Sequence, residues 1–351
     1  MTEYAVVIPT VGRPSLAAVL TALATGAGPA PAEIVVVDDR RCLGGLAMGC
    51  LQVPPIPPMV VLGGTPLPVR VLQSGDRGPA AARNVGWRAV HTEWVAFLDD
   101  DVVPAPDWRA GLHADLSGLP PDVGGSQGRI EVPLPRGRRP TDSERGTAGL
   151  ATARWITADM AYRRAVLDRV GGFDERFPRA YREDADLALR VIAAGHRLVR
   201  GRRRTVHPVR PAGFLASVRA QAGNADNALM RRKHGPSWRA AAGEGPGRLR
   251  QHAVTTAAAA LAIGSAGLAG FTARRRRRPA ARLVGVAQLA GVLWAALTAE
   301  FALHRILPGP RKPAEVARML ITSIAIPPVA CAHRVAGELR WSASPASAPR
   351  V

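Results

Sequence analysis

Trp94-Val-Ala-Phe-Leu-Asp-Asp-Asp101 is the stretch on which the fold turns: five apolar residues with no alternation, followed at once by three carboxylates. An apolar run of this length without period-2 alternation reads as a strand covered on both faces, the condition of a parallel sheet with helices on either side. Similar runs stand upstream at Tyr4–Ile8, at Ile34–Val37, which ends in Asp38 and Asp39, and at Val69–Leu72. Between them lie helical patterns. Pro14 opens one in which Leu16, Val19, Leu20 and Leu23 share a face before Gly26, and a small-residue helix runs from about Pro79 to Val90. Strand and helix in alternation make an α/β fold with a mostly parallel sheet, and its ligand crevice lies at the carboxyl ends of the strands, where the aspartates collect.

Outward from this core the pattern loosens. Arg40 to Pro68 is Pro-rich and reads as a long loop holding at most one short strand, Met59–Leu62. Pro133–Gly149 has the composition of a mobile surface loop, equally an active-site lid or an ordinary flexible connection. Residues 212–250 read as basic helix fragments. Three apolar stretches follow, Ala253–Ala273, Leu283–Leu303 and Val316–Ala332. The first two have the roughly 20-residue length a bilayer requires, while Arg318 and Pro327-Pro328 suit the third to an interface. The expected organisation is a catalytic domain over residues 1–210, a basic helical linker over 211–252, a membrane-associated helical region over 253–335 and a disordered tail over 336–351.

The net charge of +20 raises nucleic acid as a partner, but residues 1–130 carry more acidic than basic side chains, so the excess lies wholly in the rest. It gathers in Arg202–Arg204, Arg231–Lys233 and Arg274–Arg278, beside or between apolar stretches. That placement fits an anionic membrane surface and not a phosphate-tracking groove, so membrane lipids are expected as partners and nucleic acid is not. Cys42, Cys50 and Cys331 show no metal-ligand spacing and imply no disulfide framework. The N-terminus reads as a buried strand and not as a signal peptide, which places the first domain at the cytoplasmic face of the cell membrane.

Asp38-Asp39 and Asp99–Asp101 face one crevice if their strands are parallel. Hard oxygen donors so placed suit Mg²⁺ or Mn²⁺; the alternative is that they cap loops. Three consecutive aspartates repel one another and call for a compensating cation. Glu183, Asp184 and Asp186 fall in the first turn of a helix, where they complement its dipole or serve as a general base. A lone histidine such as His207 is more often structural than a ligand.

These clusters, in this order, resemble glycosyltransferase family 2, a group of inverting enzymes of the GT-A fold. The similarity rests on Val7-Ile-Pro-Thr-Val-Gly-Arg13, Val35-Val-Val-Asp-Asp39, Arg77-Gly-Pro-Ala-Ala-Ala-Arg-Asn-Val-Gly86, Phe97-Leu-Asp-Asp-Asp-Val-Val-Pro104, Asp159-Met-Ala-Tyr-Arg-Arg164 with Val170-Gly-Gly-Phe-Asp-Glu175, and Arg182-Glu-Asp-Ala-Asp-Leu187. It implies a nucleoside-diphosphate sugar donor, most often a UDP-sugar, contacted by Pro9, Thr10, Arg13, Asp38, Asp39, Arg83, Asp99 and Asp100. It also implies a Mn²⁺ or Mg²⁺ ion held by Asp99, Asp101 and His207, and Asp184 as the base, with Glu183 second. The acceptor would be a glycan or a lipid-linked hydroxyl. Two departures stand out: Arg40-Arg-Cys-Leu43 replaces the usual short polar turn after the second strand, and Asp159 stands where many members carry Asn.

Two rivals are a nucleotidyltransferase of related fold and an inactive membrane-bound scaffold. The first lacks its Gly-rich basic signature after the first strand; the second is opposed by the joint presence of the aspartate triplet and the Glu183-Asp184 pair.

Overall fold

In the computed structural model, which describes residues 2–41, 59–62, 65–274 and 280–342, the chain forms two compact units. The first takes in Met1–Pro133, Thr147–Arg210 and Ala241–Gly243. In chain order its elements are β1 (Tyr4–Thr10), α1 (Leu16–Thr25), β2 (Ile34–Asp38), β3 (Met59–Leu62), β4 (Thr65–Gln73), α2 (Pro79–Arg88), β5 (Trp94–Leu98), β6 (Val103–Pro104), α3 (Trp108–Leu116) and β7 (Val123–Glu131). After α4 (Asp142–Ala148), whose residues to Gly146 belong to the second unit, come β8 (Asp159–Arg163), α5 (Arg164–Val170), α6 (Glu183–Ala193) and β9 (Arg197–Val206).

The sheet has the order β3-β4-β2-β1-β5-β8-β7-β9-β6. Its centre, β4-β2-β1-β5, is parallel, with Val6 opposite Ile34 and Val7 opposite Phe97. Beyond β5 it becomes mixed, because β8 runs antiparallel to both β5 and β7. β1, β2 and β5 are buried at every position, which is why their sequences do not alternate. Their side chains nonetheless divide between two cores. Tyr4, Val6 and Ile8 pack with Leu16, Leu20 and Leu23 of α1 and with Trp108 and Leu112 of α3. On the other face, Ala5 and Val7 meet Ala80, Ala82 and Trp87 of α2 and Leu187 and Val191 of α6. Each such fully buried large side chain contributes roughly 1.5–3 kcal/mol by leaving water. Gly86 sets how close α2 comes to the sheet: a Cβ there would stand 2.3 Å from Val7 Cγ1.

The polar segment 133–149 is not irregular throughout, since α4 occupies Asp142–Ala148. Its start is a capping box. Glu144 Oε2 accepts from the Thr141 amide at 2.7 Å, and the Glu144 amide donates to Thr141 Oγ1 at 3.3 Å.

The second unit takes in Leu134–Gly146, Pro211–Ala240 and Glu244–Val351. It contains α7 (Ala216–Arg219), α8 (Gly223–His234), α9 (Trp238–Ala241), α10 (Leu249–Arg274), α11 (Ala280–Ile306) and α12 (Pro313–Ser342). By length and composition α10, α11 and α12 can each cross a membrane. Two expectations change here. Pro327 and Pro328 lie inside α12 without ending it, so the third apolar stretch belongs to a helix as long as the others. That helix also carries residues 336–342, so the tail expected from 336 is helical to Ser342; the remainder of it lies outside the described residues, as do Cys42, Cys50, most of the Pro-rich loop and Arg275–Arg278. The end of α11 is held by the buried Arg305, which donates to Thr322 Oγ1 at 2.8 Å, Ser323 Oγ at 3.0 Å and Asp142 Oδ2 at 2.8 Å. Arg318 is likewise satisfied, by the carbonyls of Gly213 and Phe214. A cavity of about 920 Å³ among α10, α11 and α12 has no titratable lining residue.

Candidate active site

The carboxyl ends of β1, β2 and β5, the start of α6 and the end of β9 converge on a cavity of about 510 Å³. Pro9, Thr10, Arg13, Asp39, Arg83, Asp99, Asp100, Asp101, Glu183, Asp184 and His207 all line it. Residues far apart in sequence thus meet as the spacing of the strands predicts. Asp38 does not line it.

Each aspartate of the triplet has an arginine partner. Asp99 Oδ1 accepts from Arg83 Nη2 at 2.8 Å. Asp100 is buried and accepts from Arg13 Nη1 and Thr10 Oγ1, both at 2.6 Å, which ties the turn after β1 to the end of β5. Asp101 is paired with Arg210. The mutual repulsion that calls for a cation is therefore met by guanidinium groups in this structure, and repulsion alone does not argue for a metal.

Asp39 is spent on the fold: it accepts from Ser74 Oγ at 2.7 Å and from the amides of Arg77 at 3.0 Å and Gly78 at 2.8 Å, fixing the turn into α2. Gly78 has φ +90°, and a Cβ there would lie 2.9 Å from the Pro178 carbonyl, so the position requires glycine. Asp38 turns to Arg40, accepting from its Nε at 2.7 Å and its amide at 3.0 Å. Burial would raise the Asp38 carboxyl, but the Arg40 hydrogen bonds and charge outweigh it and hold the group below the usual carboxylate range. The departure Arg40-Arg-Cys-Leu43 thus supplies, in Arg40, a side chain that occupies one of the two strand-end aspartates expected to contact the donor.

Glu183 and Asp184 open α6, following Arg182 at φ +83°. Glu183 is buried and accepts from Arg83 Nη1 at 2.8 Å; its Oε2 has no hydrogen-bond partner among the described residues. Asp184 is more accessible, and its Oδ1 accepts from the Ala185 amide at 2.7 Å. Burial and the neighbouring Asp184 charge, opposed by Arg83, push the Glu183 carboxyl up to about 8. Asp184 is also raised, by burial first, against the pull of the Ala185 amide and of Arg83 and Arg182. A carboxyl held up in this way is a better proton acceptor at neutral pH than an ordinary aspartate.

His207 Nε2 stands 3.9 Å from Asp101 Oδ1, so the two are brought together at the cavity wall. A carboxylate oxygen and an imidazole nitrogen thus face one space, two donors of the kinds a divalent cation accepts. In this arrangement, among the described residues, no three such side chains converge as a ligand cluster.

The basic segments Arg202–Arg204 and Arg77–Arg83 are engaged by the fold. Arg203 is buried; it donates to Asp159 Oδ1 at 2.7 Å and to the Ser126 carbonyl at 2.7 Å, and it pairs with Asp115 at 3.1 Å. Asp159 also accepts from Trp108 Nε1 at 2.7 Å and Thr205 Oγ1 at 2.5 Å. An aspartate where many members carry Asn is therefore matched by a buried arginine. Arg77 donates to the Ser74 carbonyl at 2.8 Å and pairs with Glu175 at 3.3 Å. The residue that sequence reading missed is Arg210, three positions beyond His207; its only signal was that proximity.

Residues 5–186 match the sequence profile described as Glycosyl transferase family 2. The pre-mycofactocin glycosyltransferase of Mycobacterium tuberculosis, in strains CDC 1551 and H37Rv, is 35% identical over 137 residues covering 35% of this chain. The chain spans only 28% of that relative's length. Among solved structures, the mannosyltransferase PcManGT from Pyrobaculum calidifontis, in complex with GDP-Man and Mn²⁺, is 18% identical with a TM-score of 0.48, over 97% of this chain and 88% of that one. S. aureus TarS 1-349 is 14% identical with a TM-score of 0.43, over 95% and 92%. With just over half of its residues matched, and the matched part supplying all of the cavity's lining except His207, the chain belongs to glycosyltransferase family 2.

Proposed function

We propose that this glycosyltransferase moves a sugar from a nucleoside-diphosphate sugar to an acceptor hydroxyl with inversion, Asp184 taking the hydroxyl proton. The observation that carries the reading is the arrangement in one cavity of two acidic groups with different surroundings: the triplet Asp99–Asp101 at a strand end, and Asp184 in the first turn of α6. A diphosphate needs positive charge near the first. An attacking hydroxyl needs a raised carboxyl such as the second.

Asp184 is favoured over Glu183 because it is the less enclosed of the two and, among the described residues, forms no ion pair, whereas Glu183 is clamped by Arg83. Burial first, and then the Asp99 charge, hold the proton affinity of Asp184 up against Arg83 and Arg182. Asp99, Asp101 and His207 would hold Mg²⁺ or Mn²⁺, which when bound neutralises phosphate charge. Arg13 contributes a guanidinium at the cavity mouth. A single displacement needs no covalent sugar intermediate, since the acceptor oxygen, its proton passing to Asp184, replaces the nucleoside diphosphate at the anomeric carbon in one step.

Three helices long and apolar enough to span a membrane support a reading of action at a membrane, in which the acceptor is a lipid-linked or membrane-bound glycan and the catalytic domain works on the cytoplasmic face. Purified full-length protein in nanodiscs, screened by thermal shift against a panel of nucleotide sugars with Mn²⁺, tests the donor class. At least one donor should raise the melting temperature, because a ligand bound only by the folded state stabilises it. A panel without any shift contradicts the reading.

A further inference from the structure

The cavity of about 920 Å³ among α10, α11 and α12 lies wholly within the second unit and takes no part in the site described above. On α10 its wall follows one helix face from Thr255 to Ala273, about 27 Å, close to the roughly 30 Å of a bilayer's hydrocarbon core. Ile263 and Val284 stand in the wall yet are 74% and 44% exposed, so the cavity is a groove open along one side and not a sealed void. Gly270 and Gly291 face the opening, for a Cβ added to either meets no neighbouring element within 4 Å. Small residues here leave room instead of drawing helices together. Apolar walls of this length, on helices able to span a membrane, exclude water and leave acyl chains as the filling.

Polarity returns at one end. Arg274 directly follows Ala273 on α10, and Arg282 stands two residues before Val284 on α11; both are exposed, and neither forms an ion pair among the described residues. Six residues on from Arg282, about 9 Å along the helix, Gln288 brings an amide into the wall, and it too has no hydrogen-bond partner among the described residues.

We propose that this groove binds one anionic glycerophospholipid, with its acyl chains along the Thr255–Ala273 face, an ester carbonyl at the Gln288 amide and its phosphate at Arg274 and Arg282. Cation, amide and apolar wall succeed one another in the order in which phosphate, ester and acyl chain succeed one another in such a lipid. Guanidinium is the side chain best matched to a phosphate, so a neutral lipid would leave the two arginines unused, and a free phosphate would leave the apolar wall unfilled. The inference rests on the reading that the tail enters a membrane.

The test uses full-length protein extracted from membranes in mild detergent, with phosphatidylglycerol, phosphatidylcholine and inorganic phosphate as probes. Native mass spectrometry should find a phospholipid retained on the wild type. Phosphatidylglycerol added to delipidated protein should raise the melting temperature more than phosphatidylcholine does, and inorganic phosphate should leave it unchanged. Arg274→Gln and Arg282→Gln should each weaken phosphatidylglycerol binding roughly fivefold, the share of one basic side chain beside an anionic headgroup, and leave phosphatidylcholine as it was. Gly270→Leu combined with Gly291→Leu fills the groove and should abolish retention; leucine favours a helix over glycine, so the tail keeps its fold. Equal shifts with the two lipids, a response to phosphate alone, or undiminished retention in the leucine variant overturns the site and leaves membrane attachment standing. A wild type that alkaline carbonate releases from membranes overturns both.

Discussion

The Arg83 guanidinium lies 2.8 Å from the Glu183 carboxylate, and both side chains are buried although a hundred residues separate them in the chain. This contact joins α2 to α6 across the floor of the cavity and, through Asp99, to β5. The rim of the site is thereby set by one buried cation.

Removing that cation and removing its partner should differ. Arg83→Met leaves Glu183 and Asp99 without compensation and should destabilise by about 3–5 kcal/mol, the range for a broken buried pair. Glu183→Gln keeps an acceptor oxygen for Arg83 and imitates a protonated carboxyl, so its cost should be nearer 1 kcal/mol. Thermal unfolding of the two variants checks the asymmetry; equal losses would show that Glu183 is needed as an anion.

The buried pair Asp159–Arg203 should behave as a unit. Asp159→Ala and Arg203→Met each leave buried polar groups unsatisfied and should each cost about 3–5 kcal/mol. The double variant should lose less than the sum, with a coupling of roughly 1.5–3 kcal/mol. Strict additivity in the cycle would contradict the pairing.

Much of this architecture was legible in the sequence, for a physical reason. β1, β2 and β5 are covered on both faces, so their composition alone marks them, and carboxylates placed directly after them have no other place than the crevice. The helix α4 escaped because it has no buried residue and hence no apolar period, although Thr141 and Glu144 carry its start signal. The engagement of Asp38 by Arg40, of Asp159 by Arg203 and of Asp101 by Arg210 depends on side-chain direction, which local spacing does not encode. These are the points at which a site inferred from motifs and the site as folded differ: Asp38, expected to contact the donor, is engaged by Arg40, and Asp101, expected to hold a metal, is engaged by Arg210.

The raised Glu183 and Asp184 carboxyls give a pH dependence of known sign. Between the ordinary carboxylate range and about 8, the folded state holds more protons at this pair than the unfolded chain does. Folding stability from the pair is therefore complete below the unfolded values and is lost as pH rises through the folded ones. Turnover should run the opposite way, rising above the ordinary carboxylate range as the Asp184 base ionises. Parallel pH profiles of melting temperature and of nucleoside diphosphate release check this; a rate already level at pH 5 would place the base elsewhere.

The central claim is that Asp184 removes the proton in sugar transfer, and the most direct measurement is nucleoside diphosphate release from the donor identified by thermal shift, in wild type and Asp184→Asn. The account predicts donor affinity within about twofold of wild type and a release rate lower by about 10²–10⁴, the range for loss of a general base. Release by Asp184→Asn at the wild-type rate, with the Glu183→Gln variant crippled instead, would contradict it.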